Sequence, residues 1–261
     1  MSLSVGGNVC VRNGNLLDYP WRECIASLLP VCDRVFVCDG DSEDGTSQEL
    51  KAWAETEKKI KVTRYPWPNP KGDEDFWVKW LNHNRLLMDT DYVIQLDADE
   101  VLFEDSYPAV AQLRDAATRV RFSAWWHRLN FWKDPFHTIP HGHCCGHKVV
   151  RFGPQNVWMP SDGAHPLGAE MINMAVDCGV KIGHYGFLRQ REAFFRKAKE
   201  LQSFFFDSYD PRLTEAEAKT AQGGNWMDVP GVNHFVNNLV PYKGMHPRVI
   251  HGWLRARGWK V

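Results

Sequence analysis

The chain has no apolar run long enough to cross a membrane, and its amino terminus, MSLSVGGNVC, lacks the charged and apolar regions of a secretory signal. We therefore expect a cytoplasmic protein. It also has little net charge, since 31 basic residues against 32 acidic residues give −1. A nearly neutral chain lacks the electrostatic footprint of a general nucleic-acid binder, although it leaves room for a local basic patch.

Cysteine is scarce and irregularly spaced. The seven residues are an odd number, which disfavours a disulfide framework and indicates reduced thiols. No internal repeat or low-complexity tract interrupts the chain. With 261 residues, 44% of them hydrophobic, there is ample apolar material for a large core.

Strand-like and helix-like segments alternate over the first hundred residues. The expected strands cover residues 8–11, 34–38, 59–65 and 92–96. Helices are expected through WRECIASLL with Asp18 as its cap, from a capping box of Thr46 and Glu49, and over residues 76–88. This alternation predicts an α/β fold with a mainly parallel sheet flanked by helices.

Acidic clusters follow two of these strands, where ligands of parallel sheets bind. They are CDGDSEDGT, residues 38–46, and DADE, residues 97–100. In an extended chain Asp97 and Asp99 point to the same side, and their carboxylates would repel unless a cation lay between them. Mg²⁺ and Mn²⁺ accept such oxygen ligands together with substrate phosphates. The alternative is a surface turn, where this pattern is also common.

The motifs VRNGN (11–15), VCDGDSEDGT (37–46), Asn82 and LDADEVL (96–102) occur together and in this order. In this combination the chain resembles the glycosyltransferase family 2 group, over about its first 105 residues. The resemblance implies a GT-A (Rossmann-like) fold, a nucleotide-sugar donor, most simply a UDP-sugar, and Mn²⁺ or Mg²⁺. It also implies transfer of a hexosyl or pentosyl group to an acceptor hydroxyl, with inversion at the anomeric carbon.

The resemblance also implies roles for individual residues. Asp39 would contact the base or ribose, with Val11 and Arg12 lining the base pocket. Asp97 would lie near the ribose and the metal, and Asp99 would ligate the metal. Three further positions in the matching motifs complete the expected donor site: Asn13, Asp41 and Asn82.

Beyond residue 105 the prediction depends on the residues themselves. His184 could complete the metal shell, and Arg189 and Lys197 could neutralise a leaving diphosphate. The alternative is a structural histidine followed by a solvated helix face. An inverting transfer needs a carboxylate base, for which Asp162 and Glu170 are the candidates, with a turn role as the alternative for Asp162.

Three segments leave their interpretation open. HGHCCGH, residues 141–147, suggests either a zinc site or a flexible loop beside the acceptor. Aromatic residues could form a sugar-stacking platform or belong to the core: Trp125, Trp126, Phe131, Trp132 and Trp158. Residues 242–261 carry five Lys or Arg residues and no acid, which suits an anionic acceptor such as modified DNA, a lipid-linked glycan or a polysaccharide, or a solvated tail.

We expect a catalytic core over residues 1–185 and a helical, basic extension over residues 186–261. Two other functions remain open. A nucleotidyltransferase would also bring a metal to a nucleotide, but VGGN at residues 5–8 is a poor phosphate loop. A catalytically silent carbohydrate- or nucleic-acid-binding module on the same fold is the second.

Overall fold

A computed structural model of the chain describes residues 2–67, 76–115, 123–139, 146–151, 176–205 and 239–261. The α-helices are α1 Trp21–Leu28, α2 Thr46–Thr56, α3 Phe76–Arg85, α4 Tyr107–Ala111, α5 Arg191–Phe205 and α6 His251–Arg255. The strands are β1 Val5–Val11, β2 Arg34–Asp39, β3 Ile60–Arg64, β4 Tyr92–Asp97, β5 Glu100–Leu102, β6 Ser123–Asn130, β7 His137–Thr138, β8 Gly146–Arg151, β9 Val176–His184 and β10 Val240–Pro241.

Eight strands form one sheet in the order β3-β2-β1-β4-β8-β6-β9-β5. Strands β3, β2, β1 and β4 are parallel, as expected of a GT-A fold, and β8 then pairs antiparallel with β4. Helices contribute buried residues such as Trp21 and Leu50 to the core around these strands. The predicted α/β fold with a parallel sheet flanked by helices is therefore confirmed.

The structure differs from the expected helix starts. Asp18 does not cap α1, which follows Pro20 without a side-chain cap. Thr46 and Glu49 do not form a capping box either, because Gly45 is the cap residue of α2. Instead the Asp44 carboxylate accepts hydrogen bonds from the Thr46 and Leu16 backbone nitrogens. An acid one position further upstream thus satisfies the helix terminus and holds the neighbouring loop.

Two further expectations can be compared with the structure. The four cysteines whose side chains are described, Cys10, Cys24, Cys32 and Cys38, are buried free thiols, as predicted. Within the described ranges, no helix has the length and apolar character needed to cross a membrane.

The carboxyl-terminal segment packs against the far end of the sheet. Ile250, Trp253 and Leu254 share a buried cluster with Phe131 and Tyr185. Phe131 is fully buried and stacks on Tyr185 with ring centroids 4.9 Å apart, so it belongs to the core rather than to an exposed sugar platform.

A buried histidine, His246, lies beside this cluster and joins Tyr185 to the Pro135 carbonyl group. His246 Nε2 lies 2.9 Å from the Pro135 carbonyl oxygen, which can only accept, so Nε2 carries the proton. His246 Nδ1 is then the acceptor for the Tyr185 hydroxyl at 2.9 Å. Both ring nitrogens are used by the neutral form. Burial lowers the pKa of His246 to about 4 from its ordinary value of 6.5.

This network predicts a loss of stability in mild acid. The unfolded histidine takes up a proton below pH 6.5, whereas the folded one does so only near pH 4, so the free energy of unfolding should fall as the pH drops through this window. His246→Gln, which can make both hydrogen bonds without titrating, should flatten the decline by up to about 2 kcal/mol. Urea unfolding at pH 7.5, 6 and 4.5 measures it. Parallel pH profiles for the two proteins would contradict the prediction.

Candidate active site

The loops after β1 and β2 are joined side by side at the carboxyl edge of the sheet. Val11 pairs with Asp39 in the strand register. The Asn13 backbone nitrogen donates to Ser42 Oγ at 2.8 Å, and Asn13 Oδ1 accepts from the Glu43 nitrogen at 2.9 Å. Buried Asp39 accepts from the Ser42 nitrogen at 3.1 Å. Asp39 therefore has a fixed position at the end of two adjacent strands.

Arg12 links the loop after β1 to helix α5. Its guanidinium carbon lies 4.7 Å above the Trp67 ring, and one terminal nitrogen pairs with Glu200. A Cβ on Gly40 would come within 3.0 Å of Arg12 Cβ and 3.1 Å of Trp67, so only glycine fits without displacement. Arg12 Nε is buried with no hydrogen-bond partner in the described part of the chain. Such an atom is expected to find its partner in water or a ligand.

The acidic motif after β4 is a turn, which corrects the expectation of an extended chain. Strand β4 ends at Asp97 and β5 begins at Glu100. Fully buried Glu100 fixes the turn, since its Oε2 accepts from the Asp97 nitrogen at 2.9 Å and its Oε1 lies 2.9 Å from Arg128 Nε. Asp97 stays partly exposed, whereas Asp99 is buried. Three neighbouring acids thus have three different environments.

Asp99 lies at the centre of a cationic cluster. Its Oδ2 is 2.7 Å from Arg189 Nη2 and 3.2 Å from Lys197 Nζ, and its Oδ1 is 3.6 Å from His184 Nε2. Burial by itself raises the pKa of Asp99, but the neighbouring Lys197, His184 and Arg189 side chains together outweigh it and hold the pKa well below 3.8. The carboxylate is therefore ionised at neutral pH.

The His184 ring faces the Asp99 carboxylate, with Nε2 3.6 Å from Oδ1. Burial lowers the pKa of His184 to about 4, and the Arg128 charge adds to this effect, so the ring is neutral at pH 7. Gly186 keeps this space open, because a Cβ there would lie 2.4 Å from Asp99 Oδ2 and 2.7 Å from His184 Nε2. His184 Nδ1 is buried with no hydrogen-bond partner among the residues that the structure describes.

The two cations differ in how many hydrogen bonds they already donate within the protein. Arg189 is 1% exposed and donates from Nε to Gly186 O, from Nη1 to Leu17 O and from Nη2 to Asp99. Lys197 is 27% exposed, and Asp99 is its one hydrogen-bond acceptor among the described residues. Lys197 therefore retains donors for an incoming anion, whereas Arg189 holds the site together.

Other predicted site residues lie apart from this cluster or outside the described residues. Asp41 pairs with exposed Arg64, and Asn82 accepts from Arg85 one turn along its own helix at 2.8 Å. Both candidate bases, Asp162 and Glu170, fall outside the described ranges, as do Trp158 and residues 141–145 of the His/Cys segment. Their roles stay predictions.

Sequence reasoning missed Glu100, Arg128 and Tyr19. Glu100 follows Asp99 in LDADEVL. The apolar residues Val101 and Leu102 come directly after it, and they were the one sign in the sequence that Glu100 is buried. Arg128 is far from Glu100 in sequence and becomes its partner through the fold. Tyr19 lies under both cations, with its ring centroid 4.4 Å from the Arg189 guanidinium and 5.0 Å from Lys197 Nζ.

No protein-family model and no curated protein sequence matches the chain. Several solved structures are similar. Residues 1–349 of TarS from S. aureus are 12% identical, with a TM-score of 0.41, over 77% of this chain and 55% of that one. The mannosyltransferase PcManGT from Pyrobaculum calidifontis, in complex with GDP-Man and Mn²⁺, is 15% identical, with a TM-score of 0.47, over 98% and 69%. GalNAc-T7 with UDP, GalNAc and Mn²⁺ is 11% identical, with a TM-score of 0.43, over 90% and 58%.

The chain spans about half the length of the TarS chains that it matches, 55% of one and 46% of another. Similarity at these identities leaves the activity to be inferred from the side chains of the chain itself.

The burial of Asp99 gives a stability prediction. Asp99→Asn removes the charge that compensates buried Arg189. The guanidinium would then be a buried charge without an ionised partner, which should lower the free energy of unfolding by about 3 kcal/mol. Asp41→Asn is the matched control, because it breaks the exposed pair with Arg64 and should cost less than about 1 kcal/mol. Urea unfolding of the three proteins compares these effects, and equal losses in both variants would refute the assigned role of Asp99.

Proposed function

We propose that the chain is a metal-dependent glycosyltransferase that moves a sugar from a nucleoside-diphosphate donor, a UDP-sugar, to an acceptor hydroxyl with inversion. One observation carries this proposal: ionised Asp99 lies beside neutral His184 and partly exposed Lys197. This group is next to the loops after β1 and β2, which carry Asn13 and Asp39. An anion-binding group and a polar pocket thus share one sheet edge, where parallel sheets bind their ligands.

The strand order gives the distance between the two ends of the proposed donor site. Asp39 ends β2 next to Val11 of β1, and Asp97 ends β4 next to Cys10 of β1. Since neighbouring strands lie about 4.8 Å apart, Asp39 and Asp97 are separated by about 10 Å. This distance suits a nucleotide with its base and ribose near Asp39 and its diphosphate near Asp99.

The side chains fit a divalent metal with two protein ligands and substrate phosphates. Among the described residues, no three His, Cys, Asp or Glu side chains gather as a complete metal site. Asp99 and His184 would hold the ion, with Asp97 beside them, since carboxylate oxygen and neutral imidazole nitrogen are donors that Mn²⁺ accepts. The space left by Gly186 between Asp99 and His184 supports this fit. When bound, the ion supplies positive charge to the leaving diphosphate.

The protein residues then have separate tasks. Asp39 accepts from a ribose or base donor, and Arg12, with its buried unpaired Nε, closes the other wall of the nucleotide pocket. Lys197 donates to the diphosphate as negative charge develops on it, while Arg189 keeps Asp99 ionised and fixed. A carboxylate base takes the proton of the acceptor hydroxyl. We keep Asp162 and Glu170 as the candidates for this base.

Ligand binding tests the proposal. UDP with Mn²⁺ should raise the melting temperature of the protein, because a ligand that binds the folded state selectively stabilises it. Lys197→Met should weaken UDP affinity about tenfold by calorimetry, because it removes one charge-assisted hydrogen bond to the diphosphate. His184→Ala should remove the Mn²⁺ dependence of UDP binding. As a control, Lys199→Met changes an exposed lysine on the same helix and should leave affinity unaltered.

Turnover separates the proposed activity from the other two functions. The wild-type protein should slowly hydrolyse a UDP-sugar and release UDP. Release of inorganic diphosphate from a nucleoside triphosphate and a sugar phosphate would instead identify a nucleotidyltransferase. Tight nucleotide-sugar binding without turnover under any acceptor would identify a silent binding module.

We also propose that the acceptor is anionic, and the structure narrows which basic residues could attract it. Arg257 pairs with Asp18, and Arg248 lies 3.2 Å from Glu104, so both charges are balanced. Exposed Lys243, Arg255 and Lys260 have no ion-pair partner among the described residues. They are the cations that remain available in residues 239–261.

This proposal predicts a kinetic effect confined to the acceptor. Replacing Lys243, Arg255 and Lys260 together with Gln should raise the KM for an anionic acceptor several-fold and flatten its salt dependence, because screening acts on unpaired exposed charges. Donor hydrolysis should be unchanged. Retention on modified DNA, lipid-linked glycan and phosphorylated polysaccharide distinguishes the three acceptors. An unaltered KM in the triple variant would rule out these residues as the acceptor surface.

A further inference from the structure

The segment Leu17–Tyr19 joins the loop after β1 to the start of helix α5. Leu17 O accepts from Arg189 Nη1 at 3.2 Å. The Asp18 carboxylate accepts from the Gln190 backbone nitrogen at 2.6 Å and pairs with the Arg257 guanidinium. Asp18 adopts a positive φ of 53° to make these contacts. Three consecutive residues therefore lie against α5 and the segment before it, which together supply the two cations of the site.

Tyr19 is held on both sides of this junction. Its backbone nitrogen donates to Gly14 O at 2.9 Å, and Pro20 follows it directly at the start of α1. The ring lies against the two cations, whose charged groups are 4.4 Å and 5.0 Å from its centroid. These distances are within the range of cation–π attraction. No described residue is hydrogen-bonded to the Tyr19 hydroxyl, which leaves the ring face as the functional part.

Lys197 depends on this ring more than Arg189 does. Arg189 is fixed by three hydrogen-bond acceptors, whereas Lys197 has Asp99 and the ring. A lysine side chain has four flexible carbon–carbon links and a charge that water hydrates strongly. Without the ring, the ammonium would gain hydration and lose its place beside Asp99.

We propose that Tyr19 is a positioning residue whose ring, packed against Arg189, holds the Lys197 ammonium beside Asp99 to receive the donor diphosphate. This inference rests on the proposed function for its ligand, a nucleoside diphosphate, but the contact itself is independent of that ligand. Tyr19 acts through Lys197 and touches no reacting atom.

The test compares Tyr19→Phe, which keeps the ring, with Tyr19→Leu and Tyr19→Met, which remove it at different shapes. Calorimetry with UDP and Mn²⁺ should show about three- to tenfold weaker affinity in the Leu and Met variants, and the Phe variant should restore the wild-type value. Two aliphatic replacements are used so that one can be measured if the other fails to fold. Melting temperatures identify the folded variants.

A second readout does not depend on nucleotide binding. Acetic anhydride modifies only neutral, accessible amines, and peptide mass spectrometry can quantify it at Lys197, with exposed Lys199 on the same helix as an internal reference. The Tyr19 ring covers one side of the Lys197 amine, with its centroid 5.0 Å from Nζ, so removal of the ring should expose the amine to the reagent. Modification of Lys197 should therefore rise at least about threefold in the Leu and Met variants and stay low in the Phe variant.

The outcomes are distinct. Increased Lys197 modification together with weaker UDP binding supports the proposal. Unchanged modification of Lys197 overturns it, and so does increased modification with unchanged UDP affinity. If the wild-type protein binds neither UDP nor GDP, the proposed function fails, and the modification rates alone then decide whether Tyr19 holds the Lys197 ammonium.

Discussion

The buried carboxylate of Asp99 is the constraint on which the rest of the site depends. An isolated charge in this environment would be too costly, so the fold must bring cations to it. Arg189 comes from the segment before α5, Lys197 comes from α5 itself, and His184 comes from the end of β9. One ionised group in the turn after β4 therefore holds the end of β9, the segment before α5 and α5 itself at the same place.

The residues that balance the charge of Asp99 also bind other parts of the chain. Arg189 also binds Leu17 O and Gly186 O, so the loop after β1 and the turn after β9 are tied to the same guanidinium. Helix α5 then reaches the base side of the site through Glu200, which pairs with Arg12. Lys197 and Glu200 lie three residues apart and therefore on one helix face. A displacement of α5 would disturb both the diphosphate end and the base end of the proposed donor site.

The local sequence pattern predicted the strands and helices of the first half of the chain well. It did not predict which charged side chains pair with each other. The alternation of segments gave the parallel strands, because the period of apolar residues depends on neighbours in sequence. The cap of α2 was wrong because Asp44, not Thr46, reaches the free backbone nitrogens, and that choice depends on the Leu16 loop packed beside it. The extended reading of DADE was wrong because Glu100 turns the chain to reach Arg128.

The site residues show the same division. Asp99 could be found from its motif, since the pattern itself carries chemistry. Arg257 appeared to be a free cation of a basic tail, because nothing near it in sequence is acidic. Its partner Asp18 is separated from it by most of the chain. Distant ion pairs of this kind cannot be assigned from one sequence, because neither residue changes the local pattern of the other.

Charge balance gives a physical reason for combining a metal with cationic side chains in the proposed site. Asp97 and Asp99 carry two negative charges and Arg189 and Lys197 two positive ones, while the lowered pKa of His184 leaves it neutral at pH 7. These five side chains therefore have no net charge to receive a diphosphate, and Glu100 with Arg128 adds none. A divalent ion at Asp99 and His184 would make the set positive without further side chains. In the proposed site the protein cations fix the carboxylate, and a bound ion would supply the charge that they cannot.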